Sequence, residues 1–387
     1  MKQSFIYSLV AVMALGVTAN AGVSVKGAVT SYEIGQEKDS QTLDLSRAKA
    51  MEKRLPVEML DYPMVNKALI GTGDSAPKKR AAAEKGAVGS GSATLSKTIP
   101  LTQIESEPKV APDEYGNPVN GINIPYTTSR VDMYRSAFSR KYPYRAAGQL
   151  FFKEGEDTYV CSAALIKRGL LVTAAHCVAN YGKQQFYSGW QFVPARKGGS
   201  APYGIWDAQD AYIMTKYYKG ASDECISGVV CKDDVAVIVL EPQDGKYPGD
   251  TVGWFGYGWN GYGYIKRRVA QITQLGYPVS HDKGRLMQRN DSVGIRGNSN
   301  YKFNTLIGSR MTGGSSGGPW VVNFGQRARL SGTTFGHAAR SNIIVGVTSW
   351  GYIDSKYKIQ GASPFTKGNI GTLVREACKK YPDACRK

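Results

Sequence analysis

From about residue 126 onward the apolar positions fall in short β-branched and aromatic runs broken by Gly, Pro, Asn and Asp. Examples are "AAGQLFF", "TYVCSAALI", "GLLVTAAH", "AYIMTKYY", "DVAVIVL", "RVAQITQLGYP", "RLSGTTFG" and "NIIVGVTSWGY". Runs of about 4 to 8 residues separated by turn residues predict strands, and their number predicts an all-β barrel or sandwich. The stretch "GNIGTLVREACKKY" breaks the pattern, because Ile370, Leu373, Val374 and Ala377 recur at helical spacing and predict one helix near the end.

Residues 22–125 read differently. They contain no cysteine and few aromatics, and their middle, "GTGDSAPKKRAAAEKGAVGSGSATLSK", has the Gly, Ala, Ser and Lys content of a flexible linker. Ahead of them stand Met1-Lys2-Gln3, the apolar run "FIYSLVAVMALGV" and Ala19-Asn20-Ala21, the layout of a secretory signal cut after Ala21. The run is shorter than the roughly 20 residues of a spanning helix, so no transmembrane segment is expected after signal removal. The expected organisation is a signal at 1–21, a pro-region at 22–125 and one functional domain at 126–387, in a secreted or periplasmic protein.

Cysteine and charge refine this picture. Cys161 with Cys177, Cys225 with Cys231, and Cys378 with Cys385 form three sequence-local couples, which predict three local disulfides in an oxidising compartment. Zinc-type CxxC spacing is absent, and neither a metal nor an organic cofactor is expected. The net charge of +18 is confined to the C-terminal part: residues 22–125 hold 13 Lys and Arg against 13 Asp and Glu, residues 126–387 hold 35 against 18. A basic surface on an exported protein accounts for it without a specific nucleic-acid partner.

Three chemical signals lie in the β-rich part. His176 follows a buried strand in "LLVTAAHCV", beside a cysteine that can be bridged to Cys161. Asp234 heads the apolar strand of "CKDDVAVIVL", with Asp233 the competing and more exposed acid, and Asp207 and Asp210 are expected as solvated loop acids. Ser316 precedes Gly317-Gly318-Pro319 in "RMTGGSSGGPW". A serine hydroxyl becomes a nucleophile when an imidazole accepts its proton, and the imidazole needs a carboxylate to fix its tautomer. Glycines around Ser316 let backbone amides, those of Gly314 and Ser316, turn toward a developing oxyanion. His281 and His337, in polar loops, are expected to do nothing chemical. "GWFGYGWNGYGYIKRR" reads as a strand and a Tyr-rich surface turn.

In their order along the chain, "TAAHC", "DDVAVIVL", "GSSGGP" and "GVTSWGY" resemble the His, Asp, Ser and substrate-strand motifs of the chymotrypsin-like serine endopeptidases. "YPYRAAGQL", "WFGY", "LGYP" and "MTGGSSGGPW" are similar to the bacterial V8-like, glutamyl-endopeptidase-like branch. The resemblance spans roughly residues 125 to 375. It implies two antiparallel β-barrels with the site between them, a Ser316-His176-Asp234 triad, and Ser349, Trp350 and Gly351 as the strand that pairs an extended peptide, with Trp350 walling the specificity pocket. Protein or peptide substrates, the chain's own pro-region as a partner, and a monomer follow from it.

Two departures matter. Ser315 stands where trypsin-like members carry the aspartate that a new N-terminal amine pairs with, so activation is expected through removal of a pro-region that blocks the cleft or assists folding, near residues 115 to 131. Arg310, six residues before Ser316, would pair with an acidic substrate side chain if it faces the pocket. Thr348-Ser349 replaces the histidine that acid-specific members place before the pocket Trp, and an outward Arg310 is the alternative. The rival function is a catalytically silent protease-like binding or adhesion protein using a basic, Tyr-rich surface.

Overall fold

The computed structural model describes residues 22–34, 43, 47–51, 53–55, 82–92, 97–98, 103–104, 124–132, 137–265, 268–325, 340–352 and 357–386. The expected signal at 1–21 and His337 lie outside the described residues.

The short apolar runs among the described residues are strands of two closed barrels, and "RLSGTTFG" lies outside the described residues. The first comprises β1 (Ala147–Glu154), β2 (Asp157–Lys167), β3 (Leu170–Thr173), β4 (Ser188–Pro194), β5 (Trp206–Met214) and β6 (Ala236–Leu240). The second comprises β7 (Val269–Gly276), β8 (Gln288–Arg296), β9 (Thr305–Gly308), β10 (Pro319–Val322), β11 (Ile343–Tyr352) and β12 (Ile359–Ala362). Around the first barrel the order is β1-β2-β3-β6-β5-β4, and around the second β7-β8-β9-β12-β11-β10, so both close with the same connectivity. Closure leaves no barrel strand with an unpaired side, the usual solution to the edge problem in small antiparallel proteins.

The strand β6, "AVIVL", is buried along its whole length because the barrel interior covers one face and the C-terminal helix (Ile370–Lys380) covers the other. That helix buries the predicted face of Ile370, Leu373, Val374 and Ala377, and Asn369 caps it, its Oδ1 accepting from the Ile370 N–H at 2.6 Å. The three disulfides pair as expected: Cys161 with Cys177, Cys225 with Cys231, and Cys378 with Cys385.

Several pieces of the N-terminal segment add to the barrels. A hairpin of Val23–Lys26 and Val29–Glu33 extends β5, Arg47–Ala50 runs parallel to β2, Arg54–Leu55 parallel to β11, and Tyr126–Arg130 antiparallel to β8. Within the stretch expected as a flexible linker, residues 82–92 are packed. Ala82–Glu84 pairs with Gly256–Trp259, and the Ala87 and Ser90 N–H groups donate to the carbonyls of Trp254 and Asp250, both at 2.9 Å. Their Gly and Ala content permits close backbone approach, and composition alone did not distinguish this from mobility.

Asp210 lies on β5, buried, and not in a solvated loop as expected; Asp207, on the same strand, is partly buried and accepts from Gln191. The aspartate at 210 is tolerated inside because Lys380 Nζ and Tyr212 Oη donate to its Oδ2 at 3.0 and 2.7 Å, and Lys380 also reaches Glu33 of the hairpin at 2.8 Å. Lys380→Met would strand this carboxylate. Urea denaturation is expected to show a loss of about 1–3 kcal/mol; an unchanged midpoint would mean that Lys380 contributes nothing to docking the C-terminal helix.

Candidate active site

Antiparallel register brings the first two candidate residues together. Thr173 at the end of β3 faces Ala236 at the start of β6, so the chain just after β3 and the chain just before β6 leave the sheet side by side. His176 sits on the short turn Ala175–Cys177 and is 2% exposed, held by the Cys161–Cys177 bridge to β2. Asp234 is fully buried. Its Oδ1 accepts from the His176 backbone N–H at 2.9 Å, and its Oδ2 pairs with Nδ1 at 2.8 Å and accepts from Ser349 Oγ at 2.5 Å. Because the carboxylate only accepts, Nδ1 carries the proton, and Nε2 is left as a buried atom with no hydrogen-bond partner.

Burial alone would raise the Asp234 carboxyl. The charges of His176 and Lys53, with the hydrogen bonds from His176 and Ser349, overcome it and hold the group well below the usual carboxylate range. Asp233, expected at the surface, is buried as well. Asn369 Nδ2 donates to it at 2.9 Å, and its own N–H donates to Glu224 Oε1 at 2.5 Å.

The loop preceding β10 brings Ser316 beside the strand end that leads to His176, without a hydrogen bond from Ser316 Oγ to His176 Nε2. Gly317 has φ +77, and a Cβ there would meet Thr173 Oγ1 at 2.0 Å and the Ala174 nitrogen at 3.0 Å, so only glycine lets the loop press against the strand end that leads to His176. The loop is pinned from β2 and β11: the Ser162 N–H donates to the Ser316 carbonyl at 2.7 Å, Ser162 Oγ donates to the Gly314 carbonyl at 2.8 Å, and the Gly317 N–H donates to the Thr348 carbonyl at 2.7 Å. Ser162 and Met51 escaped sequence reasoning. Ser162 looks like any small strand residue, and Met51 lies outside every motif, yet the Gly314 N–H donates to its carbonyl at 3.2 Å.

Ser315 is buried and spent on structure, its Oγ donating to the Thr312 carbonyl at 2.7 Å and accepting from Gln360 Nε2 at 3.2 Å. Ser349, Trp350 and Gly351 lie on β11. Trp350 is buried against Gly361, with Nε1 donating to Asn304 Oδ1 at 2.9 Å, and the Gly351 N–H donates to the Lys53 carbonyl at 3.0 Å. Arg310 is partly buried, and His281 pairs with Ser280 Oγ at 2.8 Å. The turn expected to present tyrosines does not present them: Trp254, Phe255, Tyr257 and Tyr262 are buried, because the strand Gly256–Trp259 is covered by residues 82–84 and by the barrel.

A family model described as "Trypsin" matches residues 135–369. An "Extracellular metalloprotease" of Bacillus subtilis (strain 168) is 29% identical over 196 residues, 49% of this chain; the chain spans about half of that relative, 55% of its length. Among solved structures, the protease Anisep from Arthrobacter nicotinovorans is 26% identical with a TM-score of 0.48, covering 61% of this chain and 94% of its own. The thermostable serine protease AL20 from an extremophilic microorganism is 22% identical with a TM-score of 0.49, covering 61% and 97%.

Beside the site, burial and the neighbouring Asp233 push the Glu224 carboxyl up to about 8. The folded protein therefore keeps a proton that the unfolded chain releases near pH 4.5, so stability falls as pH rises across that window and levels off above about 8. Glu224→Gln is expected to flatten this slope and to gain on the order of 2 kcal/mol over wild type at pH 8. Parallel slopes in denaturation curves collected from pH 5 to 8.5 would contradict the assignment.

Proposed function

The chain belongs to the trypsin family, and on that premise we propose that it is an exported serine endopeptidase, made as a pro-protein, that cleaves peptide bonds through an acyl-enzyme on Ser316. The observation that carries the reading is the buried hydrogen-bond chain from Ser349 through Asp234 to His176, ending in an Nε2 without a partner.

Ser316 Oγ adds to the substrate carbonyl carbon while His176 Nε2 takes its proton, and the carbonyl electron pair moves to oxygen. The Gly314 and Ser316 N–H groups hold that oxyanion. His176, its charge stabilised by Asp234, then passes the proton to the departing amine as the C–N bond breaks. Water, deprotonated by the same nitrogen, releases the acyl group and restores Ser316. Ser162 acts as a positioning residue, through the Gly314 and Ser316 carbonyls. β11 offers Ser349, Trp350 and Gly351 to an extended substrate by strand addition, and Arg310, six residues before Ser316, is the residue to test for preference toward acidic side chains.

The relative named a metalloprotease raises the matter of a metal. Among the described residues, Cys161, His176 and Cys177 place donor atoms within 4.8 Å of one another, but the two sulfurs are joined to each other and are not thiolates. The trio does not fit a metal, and no step runs through one. Export is supported by the three disulfides, by the N-terminal signal pattern and by the extracellular description of that relative. The pro-protein reading is supported by residues 47–55, which lie against both the Gly314 amide and β11. The rival reading as a silent binding protein loses part of its Tyr-rich surface, since Tyr257 and Tyr262 are buried.

With the processed protein and a casein-derived peptide, Ser316→Ala and Asp234→Asn are each expected to lower kcat by at least about 10³-fold, while Ser315→Ala keeps measurable turnover. Turnover that survives Ser316→Ala would remove the nucleophile assignment.

A further inference from the structure

Residues 47–51 lie on one barrel and residues 53–55 on the other, and their direction is informative. Arg47–Ala50 lies parallel to β2, opposite Tyr159 and Val160, and the Met51 N–H donates to the Val160 carbonyl at 3.0 Å. The Met51 carbonyl then accepts from the Gly314 N–H, the Lys53 carbonyl accepts from the Gly351 N–H, and Arg54 and Leu55 continue parallel to β11 opposite Gly351 and Tyr352. On β11, Ser349 touches Asp234, and Gly351 and Tyr352 lie further from the triad. A substrate whose acyl half lies along β11 has its N-terminus pointing away from the scissile bond, so it must run antiparallel to that strand. Residues 53–55 run the other way.

Lys53 anchors residues 53–55. Its Nζ donates to Tyr217 Oη at 2.8 Å and to the Gly228 carbonyl at 3.0 Å, and it lies 4.9 and 5.5 Å from the ring centres of Tyr217 and Tyr181. Burial lowers the Lys53 ammonium, while the charge of Asp234 draws it back up. Two aromatic faces, a hydroxyl, a carbonyl and the nearby Asp234 carboxylate make a site for a primary ammonium.

We propose that residues 47–51 and 53–55 act as a plug in the cleft, running opposite to the substrate direction, and that the pocket holding Lys53 is a cation subsite that takes a lysine side chain of an incoming peptide once the plug has left. The inference rests on Ser316 and Gly314 being the reacting centre. Residues 53–55 run against the direction an extended substrate takes along β11, so the plug does not present its backbone in the order that acyl transfer uses, and it endures.

The test uses the processed protein and fluorescein-labelled peptides of residues 47–55, with binding read by anisotropy and integrity by mass spectrometry. The wild-type peptide is expected to bind, to compete with substrate and to be recovered uncut. Lys53→Met in the peptide is expected to weaken binding about tenfold or more, and Lys53→Glu to weaken it further. In a substrate series, lysine in place of methionine at one acyl-side position is expected to raise kcat/KM. Cleavage of the wild-type peptide at the rate of an ordinary substrate, equal affinity of the Lys53→Met peptide, or no lysine preference at any position overturns the proposal. Peptide binding with this pattern by a protein that hydrolyses nothing would uphold the plug and its ammonium pocket and sink the protease reading, so the two failures are separable.

Discussion

The carboxylate of Asp234 is the constraint around which the two barrels are arranged. A charge taken fully out of water costs several kcal/mol unless its oxygens are all engaged. Its partners come from both halves of the molecule: the backbone and Nδ1 of His176 from the first barrel, and the hydroxyl of Ser349 from β11 of the second. The Asp234 N–H is tied in turn to Ser363 Oγ, which also donates to the Cys231 carbonyl. Separating the barrels would strip the Ser349 hydroxyl from this carboxylate and leave it the His176 contacts alone, so the hydrogen bond that joins the barrels ends on the same group that orients the imidazole.

The equal connectivity of the barrels gives the site its asymmetry. In the first, the β3 to β6 register brings His176 and Asp234 together; in the second, the loop before β10 and the strand β11 bring the serine, its amides and the strand on which residues 53–55 lie. Neither barrel holds a complete set. The N-terminal segment spans both at the place where the sets meet, through Val160 on one side and Gly351 on the other, which is where an inhibitor must sit to cover every element at once.

Much of this was legible in the sequence because the signals were local. Short apolar runs gave strands, the 370–377 spacing gave the helix, and paired cysteines gave the bridges. His176, Asp234 and Ser316 announced themselves by strand ends and glycines. What stayed hidden depends on long-range neighbours. Asp210 reads as a loop acid because Lys380, its partner, is 170 residues away. Asp233 reads as exposed because Asn369 and Glu224 are out of view. Ser162 and Lys53 carry no pattern of their own, and their roles exist only through the carbonyls and rings that the fold places around them. The aromatic run at 253–264 reads as surface because its glycines suggest turns, whereas they allow backbone to approach it.

The central claim is that Ser316 is an activated nucleophile served by His176 and Asp234. The most direct measurement is labelling of the processed protein with a fluorophosphonate, followed by mapping of the adduct by mass spectrometry. The account predicts a single adduct on Ser316, lost when His176 is replaced by alanine even though the serine remains. No adduct on a folded, processed protein, or an adduct on another serine, would contradict it.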